Sequence, residues 1–316
     1  MQSPTQVDVI MPAYNAGQYV QTALESIAAQ NISCRIIVVD DGSSDDTAAQ
    51  IALFTQRHPD IVIEYHWQKN AGPSAARNLG LSLAQAEFVA MLDADDIWRK
   101  DKLAKQLDLF VRAGDKSPLG VVYCQYDLIN QDGTTAHNKG FQLDPRVRGN
   151  VYRRLLGANL IAGSASAVLI RRDFLLKAGL FDERLVCAED WDLWLRLARL
   201  CHYDYVNEPL LSIRQHPNNS QKNEHRMLGG ELLFLDKLYR SGHMGKRHLW
   251  RIRRRLVLGK IDPIQLEGFV TCAPRLQKKL SGWRLDIAAH LIRAFYRLRS
   301  LPRAIRKRLP GGPPDL

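Results

Sequence analysis

The chain has 316 residues, 46% of them apolar and 24% charged, with a formal net charge of +11. This is the composition of an ordinary globular protein; it excludes a collagenous or disordered chain and leaves room for one to three domains. The charge is uneven: residues 237–316 hold twenty Lys and Arg against four Asp and Glu, a balance of +16, which leaves −5 for residues 1–236.

In chain order, residues 7–11, 35–39, 61–66 and 87–92 are strand-length runs rich in Val and Ile. Between them, residues 18–30, 45–57 and 73–85 have the spacing and composition of helices. Ser43 or Ser44 is placed to cap the second helix, with Asp45 and Asp46 in its first turn, and Pro73 suits the first position of the third. The alternation predicts an α/β fold, a mostly parallel sheet covered by helices on both faces. Beyond Asp96 the order loosens. A helix is expected over 100–113, a strand over 119–127, a turn at Asn130-Gln131-Asp132-Gly133, a strand over 164–170, a helix over 190–200 and a strand over 202–214 bent at Pro209.

The body is expected to end near residue 235, giving a domain over 1–235 and a basic amphipathic helical tail over 236–316. In the tail Trp283, Ile287, Leu291, Ala294, Phe295 and Leu298 recur at helical spacing beside Arg284, Arg293, Arg297 and Arg299. Residues 246–260 repeat the mixture. The pattern predicts helices lying on an anionic membrane surface; the competing reading is helices packed on the body with solvated arginines. No nucleic-acid motif is present, and no nucleic-acid partner is expected. The cysteines Cys34, Cys124, Cys187, Cys201 and Cys272 form no C-x-x-C pair, which suits a reducing cytosol. Residues 1–6 lack a basic-then-apolar leader, and no apolar run approaches about 20 residues. The expected location is therefore cytoplasmic and peripheral on the inner face of the membrane.

Acids gather where the first strands end. Asp40-Asp41-Gly42-Ser43 follows the second strand; two carboxylates exceed what helix capping needs, and one can accept a pyrimidine N3–H. Asp93-Ala94-Asp95-Asp96 follows the fourth. Three acids in four residues repel one another, and a divalent cation would relieve that. The plainer alternative is a solvated acidic turn that starts the next helix, at Trp98. Two or three protein oxygens suit Mg²⁺ or Mn²⁺ completed by a diphosphate. Glu189-Asp190 opens a helix; it is either first-turn charge or a general base. In Asn70-Ala71-Gly72-Pro73-Ser74-Ala75-Ala76-Arg77-Asn78, Arg77 could reach a pyrophosphate or sit on a capped helix surface. His216 could ligate metal or touch phosphate, although a lone loop His is more often only polar. Neither G-x-G-x-x-G after the first strand nor a P-loop occurs, which disfavours NAD enzymes and P-loop NTPases.

As a set, Val7-Asp8-Val9-Ile10-Met11-Pro12-Ala13-Tyr14-Asn15, Val38-Val39-Asp40-Asp41-Gly42-Ser43-Ser44-Asp45, Asn70-Ala71-Gly72-Pro73, Arg77-Asn78, Leu92-Asp93-Ala94-Asp95-Asp96 and Glu189-Asp190-Trp191-Asp192 resemble family 2 glycosyltransferases of the GT-A fold, over residues 5–220 and in that family's order. The resemblance implies an inverting transferase with a UDP- or dTDP-type nucleotide-sugar donor and a glycan or lipid-linked acceptor, in cell-surface polysaccharide synthesis. It implies that Pro12, Tyr14 and Asn15 line the nucleotide pocket and Asp41 binds the base. Asp93 and Ala94 would lie at the ribose or metal, Asp95 would hold Mn²⁺ or Mg²⁺, and Asp190 would be the base. The chain lacks the Q-x-x-R-W motif and membrane spans of processive members, so single-sugar transfer is favoured. Two other readings remain: a sugar nucleotidyltransferase, for which residues 12–17 lack the expected Arg or Lys, and a non-catalytic membrane- or nucleic-acid-binding module.

Overall fold

Three parallel strands rich in β-branched residues form the first half of the sheet: β1 (Val7–Ala13), β2 (Cys34–Asp40) and β3 (Val62–Trp67). β1 and most of β2 are buried on both faces, as continuous apolar runs in parallel sheets are. These observations come from a computed structural model that describes residues 6–241 except 115–116, 137–146, 157–158, 162–164, 186, 218, 220–229, 231–232, 235–236 and 239. Helices α1 (Val20–Ala28), α2 (Thr47–Arg57) and α3 (Pro73–Leu83) connect these strands and lead into β4 (Phe88–Met91), which pairs parallel to β1. Pro73 stands at the first helical position, as expected. α3 lies against β1 so closely that a Cβ on Gly80 would come within 2.5 Å of Ile10 Cγ2. At the N-terminal edge, buried Asp8 takes both Arg35 Nε and Nη2 at 2.8 Å and the backbone N–H groups of Gln85 and Ala86. That charge pair ties strand starts together, at the edge away from the acidic loops.

The second half is mixed. The remaining strands are β5 (Ile97–Trp98), β6 (Leu119–Asn130), β7 (Val168–Arg171) and β8 (His202–Gln215), with α4 (Lys102–Ala113), α5 (Tyr152–Leu155), α6 (Arg172–Ala178) and α7 (Glu189–Leu197) between them. The order across the sheet is β3-β2-β1-β4-β7-β6-β8-β5. β7 runs antiparallel to β4 and β6, β8 runs parallel to β6, and β5 runs antiparallel to β8. The mostly parallel expectation therefore holds for β1 to β4 and gives way to mixed pairing beyond them.

Several boundaries moved for physical reasons. Ser43 and Ser44 do not cap α2; they bond the Asn15 loop instead, and Asp45 accepts the Thr47 N–H at 3.0 Å. Trp98, where the plainer alternative for the acidic turn would start a helix, lies in β5, and the helix expected over 100–113 is α4. The strand expected from residue 164 begins at Val168, after a 3₁₀ turn at Ala165–Ala167. The bend at Pro209 is a bulge: β6 pairs Cys124 with Val206 and Gln125 with Pro209, skipping two residues. Proline, which has no N–H to donate, suits that place.

The chain divides into two compact units, Met1–Asn223 and Glu224–Leu316; among the described residues, every strand is in the first. The expected boundary at 235 and the tail segments at 246–260 and 283–298 lie outside the described residues. Among the described residues, no helix is long and apolar enough to cross a membrane.

Candidate active site

Strand direction decides which residues meet. β1, β2 and β4 are parallel, so their C-terminal ends share one edge. Two antiparallel steps through β7 bring β6 back to the direction of β4, and β8 follows β6. The ends of β6 and β8 and the start of β7 therefore reach the same edge, the one where ligands bind in open α/β sheets.

At the β2 end the acids are satisfied by neutral donors. Asp41 is buried; its carboxylate accepts Gln68 Nε2 at 2.7 Å and the N–H groups of Ala71 and Gly72 at 2.8 Å. Asp40 accepts the Ser43 N–H at 2.8 Å and the Tyr65 hydroxyl at 2.7 Å. Gly42 has φ +77°, and a Cβ there would meet Asn70 N at 2.8 Å, so only glycine lets the two loops touch. Asn15, at φ 49°, donates its N–H to Ser43 Oγ (2.9 Å) and accepts the Ser44 N–H (2.8 Å). Beside it Tyr14 is exposed, and Pro12 is half-buried at the end of β1.

At the β4 end three carboxylates crowd one turn. Asp95 Oδ2 lies 2.8 Å from His216 Nε2, just past the end of β8. Asp96 is buried; it accepts the Ser166 hydroxyl at 2.8 Å and the Arg214 N–H at 3.3 Å. Ser166 Oγ also accepts the Asp93 N–H at 3.0 Å, so one hydroxyl ties both ends of the turn. Ala94 is buried between them in sequence. Burial first, and then the negative charge of Asp93, raises the Asp95 carboxyl, against the pull of His216. Burial, then Asp95 and Asp93, raises Asp96 well above the usual range.

Arg77 links this turn to α7. Its buried guanidinium donates to Asp93 Oδ1 at 2.7 Å and to Glu189 Oε1 at 3.2 Å. It is thus turned toward protein carboxylates and away from a solvated helix face. Asp190, the next residue, is half-buried and receives Asn159 Nδ2 at 3.3 Å. Burial, and then the neighbouring Glu189, push its carboxyl up to about 7. Arg196 donates to the carbonyls of Ala178, Gly179 and Leu180 and to Asp192, which anchors α7.

The structure thus brings Asp93, Asp95 and His216 together, joins them through Arg77 to Glu189 and Asp190, and keeps Pro12, Tyr14, Asn15 and Asp41 on the neighbouring strand ends. Sequence reasoning missed Ser166, Asp96 as a clamp, and Arg214, whose Nε donates to the Asp95 carbonyl at 3.0 Å. Asp96, directly after the D-x-D motif, was the available signal; Ser166 and Arg214 lie far from it in sequence and carried none. Among the described residues, no three acidic, His or Cys side chains converge as a ready-made metal cage. The donor set still fits a divalent cation. Asp95 offers a hard oxygen and His216 a ring nitrogen, and the mutual repulsion of the acids is what such a cation would relieve. Two protein ligands with substrate phosphates completing the shell is the usual arrangement for Mg²⁺.

The fold is of GT-A type. Solved structures of similar shape include Staphylococcus aureus TarS 1–349 in complex with UDP-GlcNAc, with TM-score 0.59, 18% identity and coverage of 73% of this chain and 66% of that one. Another is the mannosyltransferase PcManGT from Pyrobaculum calidifontis in complex with GDP-Man and Mn²⁺, with TM-score 0.56, 20% identity and coverage of 97% and 83%. At these identities they show the fold alone. The description "Glycosyl transferase family 2" matches residues 8–178, more than half of the sequence, and the chain belongs to this family. Among curated relatives, the amylovoran biosynthesis glycosyltransferase AmsB of Erwinia amylovora is 28% identical over 77% of this chain and 80% of its own. The Escherichia coli UDP-Glc:alpha-D-GlcNAc-diphosphoundecaprenol beta-1,3-glucosyltransferase WfgD is 30% identical over 64% and 73%. Against uncharacterized glycosyltransferases of Rickettsia conorii and Rickettsia typhi, the match spans only 35% and 64% of the relatives' own length.

Proposed function

We propose that the chain is an inverting, metal-dependent glycosyltransferase that moves one sugar from a UDP- or dTDP-type donor to a hydroxyl of a glycan or lipid-linked acceptor. The observation that carries this reading is the placement of Asp190 beside Glu189, which Arg77 joins to Asp93 of the acidic turn; burial and then Glu189 push the Asp190 carboxyl up to about 7. Such a group can take a proton at neutral pH, as a general base must. Asp190 removes the acceptor hydroxyl proton while that oxygen attacks the anomeric carbon from the face opposite the nucleotide. The bond to the diphosphate breaks, its electron pair leaves with the diphosphate, and the anomeric centre inverts.

The other residues bind and orient. Pro12, Tyr14 and Asn15 line the nucleotide, with Ala94 and Asp93 at the ribose. Asp41 already accepts three hydrogen bonds, and a carboxylate has roughly four acceptor positions. One is left for a uracil or thymine N3–H. Asp95 and His216, with Asp93 beside them, would hold Mn²⁺ or Mg²⁺; bound there, the cation supplies positive charge against the charge growing on the leaving diphosphate. Arg77 spaces the metal side from the base by holding Asp93 and Glu189.

The names of AmsB and WfgD support cell-surface polysaccharide synthesis with a lipid-linked acceptor. The +16 balance of residues 237–316 supports docking of a tail domain on the inner face of the cytoplasmic membrane. A panel of UDP-, dTDP- and GDP-sugars, scored for thermal stabilisation and hydrolysis with and without Mn²⁺, tests the reading. Stabilisation by a pyrimidine nucleotide-sugar only with Mn²⁺ is expected, and no response to any of them rejects it.

A further inference from the structure

We infer that Gln106 is a positioning residue for the acidic turn: its side-chain amide, oriented by the buried Lys102, holds the segment from which Ser166 reaches Asp93 and Asp96. The inference rests on the divalent-cation reading of that turn. Lys102 and Gln106 stand one helical turn apart on α4, and both are fully buried, as is Ser166. Lys102 Nζ donates to Gln106 Oε1 at 2.9 Å. With its oxygen engaged there, the amide turns its two N–H donors elsewhere. Nε2 donates to the carbonyl of Val122 in β6 at 3.0 Å and to that of Ala167 at 2.9 Å.

The segment Ala165–Ala167 needs such a hold. Pairing of β7 with β6 begins at Val168 and with β4 at Leu169, so the 3₁₀ turn before them lies outside the ladder. Its carbonyls are held by side chains instead. Trp98 Nε1 donates to the Ser166 carbonyl at 2.9 Å, and Cys124 Sγ, at 3.5 Å, joins Gln106 on that of Ala167. The Ser166 hydroxyl is then presented to the Asp93 N–H and to Asp96. The platform behind it is tied to α1 and the residues just after. Ser26 Oγ accepts the Trp98 N–H at 3.1 Å, and Gln30 donates to the Arg99 carbonyl at 2.8 Å and accepts the Leu103 N–H at 3.1 Å.

The lysine is the costly member of this network. Its ammonium lies 4.1 Å from the centre of the Trp98 ring, and among the described residues no carboxylate pairs with it. Burial pushes it down to about 8. A well-packed apolar side chain of similar volume would cost less in a core. What the lysine adds is direction. The two ends of a primary amide are nearly equal in shape and opposite in hydrogen bonding, and a cation at Oε1 decides which end faces the carbonyls. A reversed amide would set oxygen against the carbonyls of Val122 and Ala167 and release the turn. The route of the effect therefore runs from Lys102 to Gln106 to Ala167, and through Ser166 to the metal-side acids.

The full chain is compared with Gln106→Met and Gln106→Glu, which keep the side-chain length and remove both donors. Lys102→Met, which leaves the amide without its orienting cation, is the third variant. All measurements are made well below each variant's melting midpoint, so that loss of fold does not enter. One arm reads amide hydrogen exchange of a peptide spanning residues 91–98 in the metal-free protein, with a β1 peptide as reference. The other titrates UDP in the presence of Mn²⁺ by calorimetry. For both Gln106 variants, exchange about tenfold faster in the first peptide alone and Mn²⁺-dependent UDP affinity about tenfold weaker are expected, the scale of one buried hydrogen bond lost. Lys102→Met should shift both in the same direction, and it carries the test if the Gln106 variants do not fold. Lower melting points with exchange and affinity unchanged would make Gln106 a support of the core only and overturn the inference, as would faster exchange with unchanged affinity. Failure of the unmutated chain to bind UDP with Mn²⁺ counts instead against the cation reading, and the exchange arm still decides whether Gln106 holds the turn.

Discussion

The acidic loops after β2 and β4 are similar in sequence and opposite in surroundings. Asp40 and Asp41 receive hydrogen bonds from Ser43, Tyr65, Gln68, Ala71 and Gly72, all of them neutral donors. Asp93, Asp95 and Asp96 face one another, and their basic neighbours are shared: Arg77 also serves Glu189, and His216 serves Asp95. Neutral N–H donors settle an acid and fix a loop. Crowded acids raise one another's pKa and leave room for a cation. Changes in the crowded region should therefore alter chemistry, and changes in the donor-rich loop should alter mainly stability.

The largest effect is expected on the catalytic flank. Asp190→Asn should slow transfer by about 10²–10⁴-fold with donor affinity nearly intact, the loss typical of a general base. The wild-type rate should rise with pH through about 7, as Asp190 ionises, and this limb should be absent in the variant. Stability should move the other way. The folded carboxyl holds its proton more tightly than the unfolded one, so the stabilisation is complete at low pH and is lost as pH rises through about 7. Asn does not titrate, so melting curves at pH 5 and pH 8 should differ less in the variant.

Ser166→Ala tests whether the D-x-D turn needs its clamp. Removing the hydroxyl that joins the Asp93 N–H to Asp96 should weaken Mn²⁺-dependent UDP binding by roughly tenfold, close to the 1–3 kcal/mol expected for a buried group left unpaired. Calorimetry reads the affinity, and Ser166→Thr should recover part of it if the hydroxyl is what matters. Asp41→Ala should act mainly on the fold. It strands the Ala71 and Gly72 N–H groups, a cost on the order of 2 kcal/mol in denaturant unfolding, while affinity for UDP falls only by the value of one base contact.

Much of the first hundred residues was legible because β-branched runs and helical spacing alternate there, and crossover connections leave parallel pairing as the natural outcome. The acids at strand ends were legible for the same reason. The second half was not. The direction of β7, which brings Ser166 to the site edge, depends on pairing with strands distant in sequence, and β5 is two residues long. His216 looked like a lone loop histidine; only the path of β8 beside β6 sets it against Asp95. Arg77 was expected near a phosphate or on a helix surface, and no local pattern could reveal the Glu189 that claims it 112 residues later. Beyond residue 241 the basic tail lies outside the described residues.

The central claim is that the turn over residues 93–96 binds a divalent cation together with a nucleoside diphosphate. Calorimetric titration of UDP into the full chain with Mn²⁺, with EDTA, and into Asp95→Ala with Mn²⁺ tests it directly. Binding that requires Mn²⁺ and disappears in Asp95→Ala is the predicted result. Equal UDP affinity in EDTA, or unchanged Mn²⁺-dependent affinity in Asp95→Ala, would contradict it.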